Sequence, residues 1–114
     1  MGTPPPLGDF EQLVLLALVR LGDRAYGIAI HTEILERAGR DVTVAAVYKT
    51  LERLEDKGFA ASTLGEPTAE RGGRRKKFFR IQPSGRRALR HAMASLRRMA
   101  TGLPADLDLA VDEP

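Results

Sequence analysis

From Asp41 to Gly58 the chain reads Asp-Val-Thr-Val-Ala-Ala-Val-Tyr-Lys-Thr-Leu-Glu-Arg-Leu-Glu-Asp-Lys-Gly, and this stretch most narrows what it can fold into. Val44, Val47, Leu51 and Leu54 recur at spacings of three and four, which places them on one stripe of a helix. Thr43 has the hydroxyl of a good N-cap. Gly58 suits the left-handed residue that ends a helix, and Lys57 falls in the last turn, where the dipole favours a cation. Opposite the stripe lie Ala45, Ala46, Lys49, Arg53 and Asp56. Small residues in an exposed first turn let that turn approach a surface. A helix so slim at its start, flanked by Tyr48 and Lys49, has the dimensions to enter a DNA major groove.

Two further helices are predicted before it. Residues 1–8, rich in Pro and Gly, read as a flexible arm. Asp9 is the expected cap of a first helix, with Gln12 three residues on. Apolar residues from Phe10 to Leu21 cover most of that helix's circumference, so it should be central and largely buried. Gly22-Asp23 ends it. A second helix carries Ile28, Ile30, Ile34, Leu35 and Ala38 and closes at Gly39, only a short turn before the third.

After Gly58 the pattern changes. Phe59–Leu64 and Lys77–Gln82 read as the strands of a hairpin, with a long basic tip between them. Pro83 can open a fourth helix that Gly102 and Pro104 stop. Leu89, Ala92, Met93, Leu96, Met99 and Ala100 line one of its faces, and arginines lie largely elsewhere. Residues 104–114 read as an acidic tail without regular structure.

Length allows one compact domain with a helical extension. The absence of cysteine excludes a disulfide framework, a thiolate nucleophile and a Cys-based zinc site. No apolar run reaches the ~18 residues a membrane span needs, and no export signal is apparent, so a cytoplasmic protein is expected. Residues 105–114 hold four acids and no base, so the total of +3 leaves +7 on residues 1–104. Six bases and no acid fall between Arg71 and Arg80. Such a concentration points to an anionic partner, nucleic acid first; the plain alternative is a solvated loop.

The order helix, helix, helix, hairpin, helix predicts a mainly α fold with a small β-hairpin: a winged helix-turn-helix over residues 9–82 and a C-terminal helix over 83–103. Leu13, Leu16, Ile30, Ile34, Val47, Leu51, Leu54, Phe59 and Ile81 are the expected core. The apolar face of the fourth helix then needs a cover. A second copy in a two-fold homodimer supplies one, and folding back on its own domain is the alternative.

By these residues the chain resembles the PadR family of transcriptional regulators. The resemblance rests on Tyr26-Gly27-Ile28, Gly39–Thr43, Ala46–Gly58, Gly73–Ile81 and Pro83–Leu89, and covers about residues 9–103. It is similar to the short branch with one C-terminal helix. The resemblance implies a homodimeric repressor that binds an inverted repeat in double-stranded DNA. It puts Thr43, Ala45, Ala46, Tyr48 and Lys49 against DNA from the third helix, and Arg74, Arg75 and Lys76 from the wing. Leu89, Ala92, Met93, Leu96 and Met99 would form the dimer interface and the place for a small hydrophobic effector. Two departures stand out. Many members have Gly or Pro where this chain has Val44 and Ala45, and drug-sensing members stack planar ligands on a Trp that this chain lacks.

Each residue also has a plainer reading. Tyr48 can donate its phenol to a phosphate or rest half-buried with its hydroxyl in water. Lys49 and Arg53 can meet phosphates or pair with Glu52 and Asp56. Of Phe78 and Phe79, which alternate in direction, one should be core. Enzyme readings fail: His31 and His91 stand sixty residues apart, Ser84 lacks a nucleophile elbow, and no metal or cofactor motif is present. Against a DNA-binding regulator stand two rivals, a winged-helix protein-interaction module and an architectural DNA binder without an operator.

Overall fold

The computed structural model describes residues 6–67 and 75–103. They form α1 (Asp9–Leu21), α2 (Gly27–Glu33), α3 (Val44–Asp56), the strands β1 (Ala60–Pro67) and β2 (Arg75–Ile81), and α4 (Pro83–Ala100). A 3-10 turn, Gly22–Arg24, joins α1 to α2, and α2 runs into a π-helical turn, Ile34–Ala38. Most of the expected arm, the hairpin tip with Arg74, and the acidic tail lie outside the described residues.

The start of α1 differs from expectation by one residue. Gly8 is the N-cap, and the Glu11 carboxylate accepts its backbone N–H at 2.9 Å. Asp9 instead sits in the first turn, where a carboxylate complements the helix dipole, and it pairs with Arg40 at 3.1 Å. The side-chain amide of Gln12 donates to the Leu7 carbonyl. Leu7 itself packs against the core, so the expected arm is anchored at least from there on.

The buried face of α1 is formed by Val14, Leu15, Ala17 and Leu18. Leu13 and Leu16, expected in the core, are only partly buried, as is Ile81. Ile30, Ile34, Val47, Leu51, Leu54 and Phe59 occupy the core as expected. A helix apolar almost all round offers no periodicity from which to choose its inner face. Removing such side chains from water stabilises the fold by roughly 1.5–3 kcal/mol each.

β1 and β2 pair antiparallel, Ala60 opposite Ile81 and Thr63 opposite Phe78, with an irregularity between Leu64 and Pro67. Both strands run further toward the tip than the sequence pattern implied. A third segment closes the sheet: Tyr26 bridges Phe78, and the Phe79 N–H donates to the Ala25 carbonyl at 2.8 Å.

The first turn of α4 is tied to the hairpin. Gln82 N–H donates to the Phe59 carbonyl at 2.8 Å, and the Ser84 hydroxyl donates to the Gly58 carbonyl at 2.6 Å. Gly85 permits this approach, because a Cβ there would overlap the Phe59 carbonyl oxygen. Ala88 and Leu89 then enter the core. Leu89 therefore serves its own domain in the single chain, whereas Leu96 is 62% exposed and Met99 79%. The expected single apolar stripe thus divides: its first turns fold back on the domain and the rest stands open.

Candidate nucleic-acid interface

The turn before α3 is held from three sides. The Thr43 hydroxyl accepts the Ala46 N–H at 3.0 Å, the predicted cap. His31 donates through Nε2 to the Val42 carbonyl at 2.6 Å, linking α2 to that turn. Gly39 takes the left-handed conformation, φ 67°, that closes the π-helical turn. A rigid entry of this kind fixes the orientation of the first turn of α3.

Val47, Thr50, Leu51 and Leu54 are the buried side of α3. On the other side Thr43, Ala45, Tyr48 and Lys49 are exposed and Ala46 is half-buried. The structure therefore gathers all five expected residues of this helix at one end, with Ala46 the most recessed. Among the described residues Lys49 forms no ion pair. The phenol end of Tyr48 lies over Gly27 of α2, its ring meets Phe79 edge-on with centroids 6.3 Å apart, and the residue is 37% exposed.

The base of the wing adjoins this face through the preceding residue. Tyr26 packs edge-on against Phe78 at 5.7 Å, and Lys76 Nζ lies 4.3 Å from the centre of the Tyr26 ring. Phe79 is the core member of the aromatic pair, and Phe78 is half-buried. Arg75, Lys76 and Lys77 are exposed. Tyr26-Gly27 is thus a joint: Tyr26 seats the wing, and Gly27 leaves room for the α3 tyrosine.

One charged group went unforeseen. Glu11, on the first turn of α1, accepts from Lys57 Nζ at 2.9 and 3.1 Å, and Arg53 Nε lies 3.6 Å away. Burial pushes the Glu11 carboxyl up. The hydrogen bonds from Lys57 and Gly8 N–H, together with the Lys57 and Arg53 charges, outweigh that and hold it below the usual range. The clasp fastens the end of α3 to the start of α1. Arg53 is therefore committed to Glu11 rather than to Glu52 or Asp56, and Glu55 accepts from the Ser62 hydroxyl at 2.6 Å. The Asp9 carboxyl is likewise lowered, first by its hydrogen bond from Arg40.

No group of three potential metal ligands occurs among the described residues, and none of their helices is long and apolar enough to cross a membrane. What the face offers is a slim, cation-edged helix end beside a basic strand. Such a surface can dock on a phosphate-lined groove.

Two short-linked helices with a hairpin seated beside the second define a winged helix-turn-helix protein. The model described as the transcriptional regulator PadR-like family matches residues 15–91, and the chain belongs to that family. It is accordingly a DNA-binding transcriptional regulator and not an enzyme. The chain is similar to a PadR family regulator from Eggerthella lenta DSM 2243, with 27% identity, 87% of this chain and 84% of that one covered, and a TM-score of 0.63. It shares the fold of a transcriptional regulator from Clostridium thermocellum, at 24% identity, with 78% and 81% covered and a TM-score of 0.66. A PadR family regulator from Clostridium difficile R20291 has the same fold at 19% identity, with 89% and 99% covered and a TM-score of 0.66. No curated protein sequence matches the chain.

Proposed function

We propose that this regulator is a cytoplasmic homodimeric repressor whose two α3 helices occupy successive major grooves of an inverted-repeat operator. The observation that carries this is the gathering of Thr43, Ala45, Tyr48 and Lys49 on one open helix end, next to the exposed Arg75 and Lys76 of β2. Lys49 and the Tyr48 phenol reach phosphates, and Ala45 and Ala46 allow the turn to approach base edges and thymine methyls. Arg75 and Lys76, with Arg74 beside them in sequence, meet the backbone flanking each half-site. This face offers few side chains that read bases by paired hydrogen bonds, so groove shape carries part of the specificity.

The exposed Met93, Leu96 and Met99 favour a two-fold dimer through α4, because leaving them in water forgoes several kcal/mol, on the order of 1.5–3 for each. That pairing sets the α3 helices about one duplex turn apart, ~34–36 Å. A small hydrophobic effector seated against the same methionines would act by altering that separation, since it shifts DNA affinity only through unequal affinity for two dimer states. Titration against the DNA upstream of its own reading frame at two salt concentrations tests the proposal. Tight binding with a steep salt slope and a protected inverted repeat is expected. Weak binding blind to sequence would leave the interaction module or the architectural binder in its place.

A further inference from the structure

The polar side of α4 carries a charge pattern that the operator contacts proposed above leave unused. Arg86, Arg87, Arg90, Arg97 and Arg98 are all exposed, and the helix contains no acid. At about 100° per residue, Arg86, Arg90 and Arg97 form one row and Arg87, His91 and Arg98 the next. Among the described residues none of the five arginines pairs with a carboxylate; Arg98 reaches only the Ser95 hydroxyl, at 3.3 Å. Arg86 and Arg90, one helical turn apart, repel each other. Arg86 and Arg87 also stand near the positive end of the helix dipole, where cations are unfavourable. Such a face calls for an anion.

The chain supplies one directly afterwards. Asp106, Asp108, Asp112 and Glu113 follow α4, with no base in residues 105–114. Gly102 at φ 84° and the fixed backbone of Pro104 favour a change of direction just beyond the helix. At a helical rise of about 1.5 Å, Arg97 and Arg98 lie roughly 8–9 Å back from Leu103, Arg90 about 20 Å, and Arg86 and Arg87 about 25 Å. An extended chain at about 3.3 Å per residue carries Asp106 roughly 10 Å from Leu103, Asp108 about 17 Å, and Asp112 and Glu113 about 30 Å. The acids and the arginines are therefore spaced to match along one antiparallel path.

We propose that residues 105–113 dock on the arginine face of α4 of the same chain and shield it from nonspecific polyanions. Tethering gives the acidic segment an effective concentration on the order of millimolar. That suffices against scattered nonspecific DNA phosphates while leaving α3 and the wing free for an operator.

The chain has no cysteine, which permits a clean test. Ala94 lies between the two arginine rows, and Leu107 is level with it on the matched path, on the side of an extended segment opposite Asp106 and Asp108. In an Ala94→Cys/Leu107→Cys protein, linkage of the two thiols within one chain by a bismaleimide, whose spacer reaches around the segment, is expected at least tenfold faster at about 50 mM salt than at about 1 M. Replacing the four acids (Asp106→Asn, Asp108→Asn, Asp112→Asn, Glu113→Gln) should slow it equally. Rates indifferent to salt and to those replacements, or a bond formed chiefly between chains, would overturn the proposal. The four replacements alone should also tighten binding to random-sequence duplex on the order of tenfold at low salt. Made in a background that already carries Arg86→Gln, Arg90→Gln and Arg97→Gln, the same four replacements should give little gain. A gain of equal size in that background is a net-charge effect and refutes docking. The cross-linking rates stand by themselves should the arginine variant fold poorly.

Discussion

The backbone of Gly27 lies against the ring of Tyr48: a Cβ at Gly27 would overlap Tyr48 Cζ and Oη and lie 2.6 Å from Cε2. A residue on α2 and one on the outward face of α3 are thereby made interdependent. Because the overlap is with the far end of a side chain that is 37% exposed, the ring can swing outward to relieve it. Gly27→Ala should cost only about 1–2 kcal/mol of stability, measured by denaturant unfolding. Its effect on DNA affinity should be larger, about tenfold, because the displaced ring obstructs the helix end. Gly27→Ala combined with Tyr48→Ala should be more stable than the sum of the two single changes predicts. Strict additivity would show the two residues to be uncoupled.

The same pair shows where sequence reading reaches and where it stops. The boundaries of α3 were legible because Thr43 and Gly58 act on their own helix, and the apolar spacing repeats locally. The need for a glycine at position 27 depends on a tyrosine twenty-one residues later, which no local pattern carries. Glu11 and Lys57 are farther apart still, 46 residues, and each has an acceptable local reading as a helix-end charge. In α1 the inner face centres on Val14, Leu15, Ala17 and Leu18, while Leu13 and Leu16 pack against the core from its edge. Those two also line, with Ile34 and Met93, an open groove of about 370 Å³ between α1, the π-helical turn and α4. The outward residues of α3 are legible in the sequence because they are what the local stripe leaves over.

Glu11 makes the fold sensitive to acid. Its folded pKa is depressed, so its contribution is complete above the unfolded carboxyl's value, about 4.3. That contribution is lost as pH falls through the lower folded value. Lys57 and Arg53 retain partial access to water, which limits the penalty of losing their partner. Glu11→Gln should therefore cost about 1–2 kcal/mol near neutral pH. The difference from the unaltered protein should shrink as pH falls below the ordinary carboxyl range. Unfolding curves at several pH values check both points, and a constant difference across that range would assign the loss to packing instead.

Lys49 and Lys76 should separate in their side effects. Each phosphate contact contributes about 0.9 to the slope of log affinity against log salt, and a homodimer carries every change twice. Lys49→Ala should thus flatten the slope by about two per dimer, with stability unchanged within about 0.5 kcal/mol. Lys76→Ala should flatten it similarly, but also lose the contact over Tyr26, about 0.5–1 kcal/mol. Salt titrations with operator DNA, paired with thermal unfolding, distinguish the two. An unchanged slope after Lys49→Ala would remove that lysine from the phosphate contacts.

Leu96 is the position that most directly tests pairing through α4. It is 62% exposed in the single chain, so Leu96→Asp should leave the domain's own stability within about 0.5 kcal/mol. In a two-fold interface the same change buries a carboxylate against apolar side chains, and against its own copy where the helices cross near the axis. Sedimentation should then show the mass of one chain. Operator affinity should fall at least a hundredfold, because the two α3 helices no longer bind as a unit, while the affinity of each half-site for one domain persists. A neighbouring change, Leu89→Asp, should behave differently: Leu89 is buried in its own domain, so unfolding rather than dissociation should be its first effect. A dimer that survives Leu96→Asp would move the interface off this face of α4 and onto the groove beside α1, where Leu13→Asp becomes the decisive substitution.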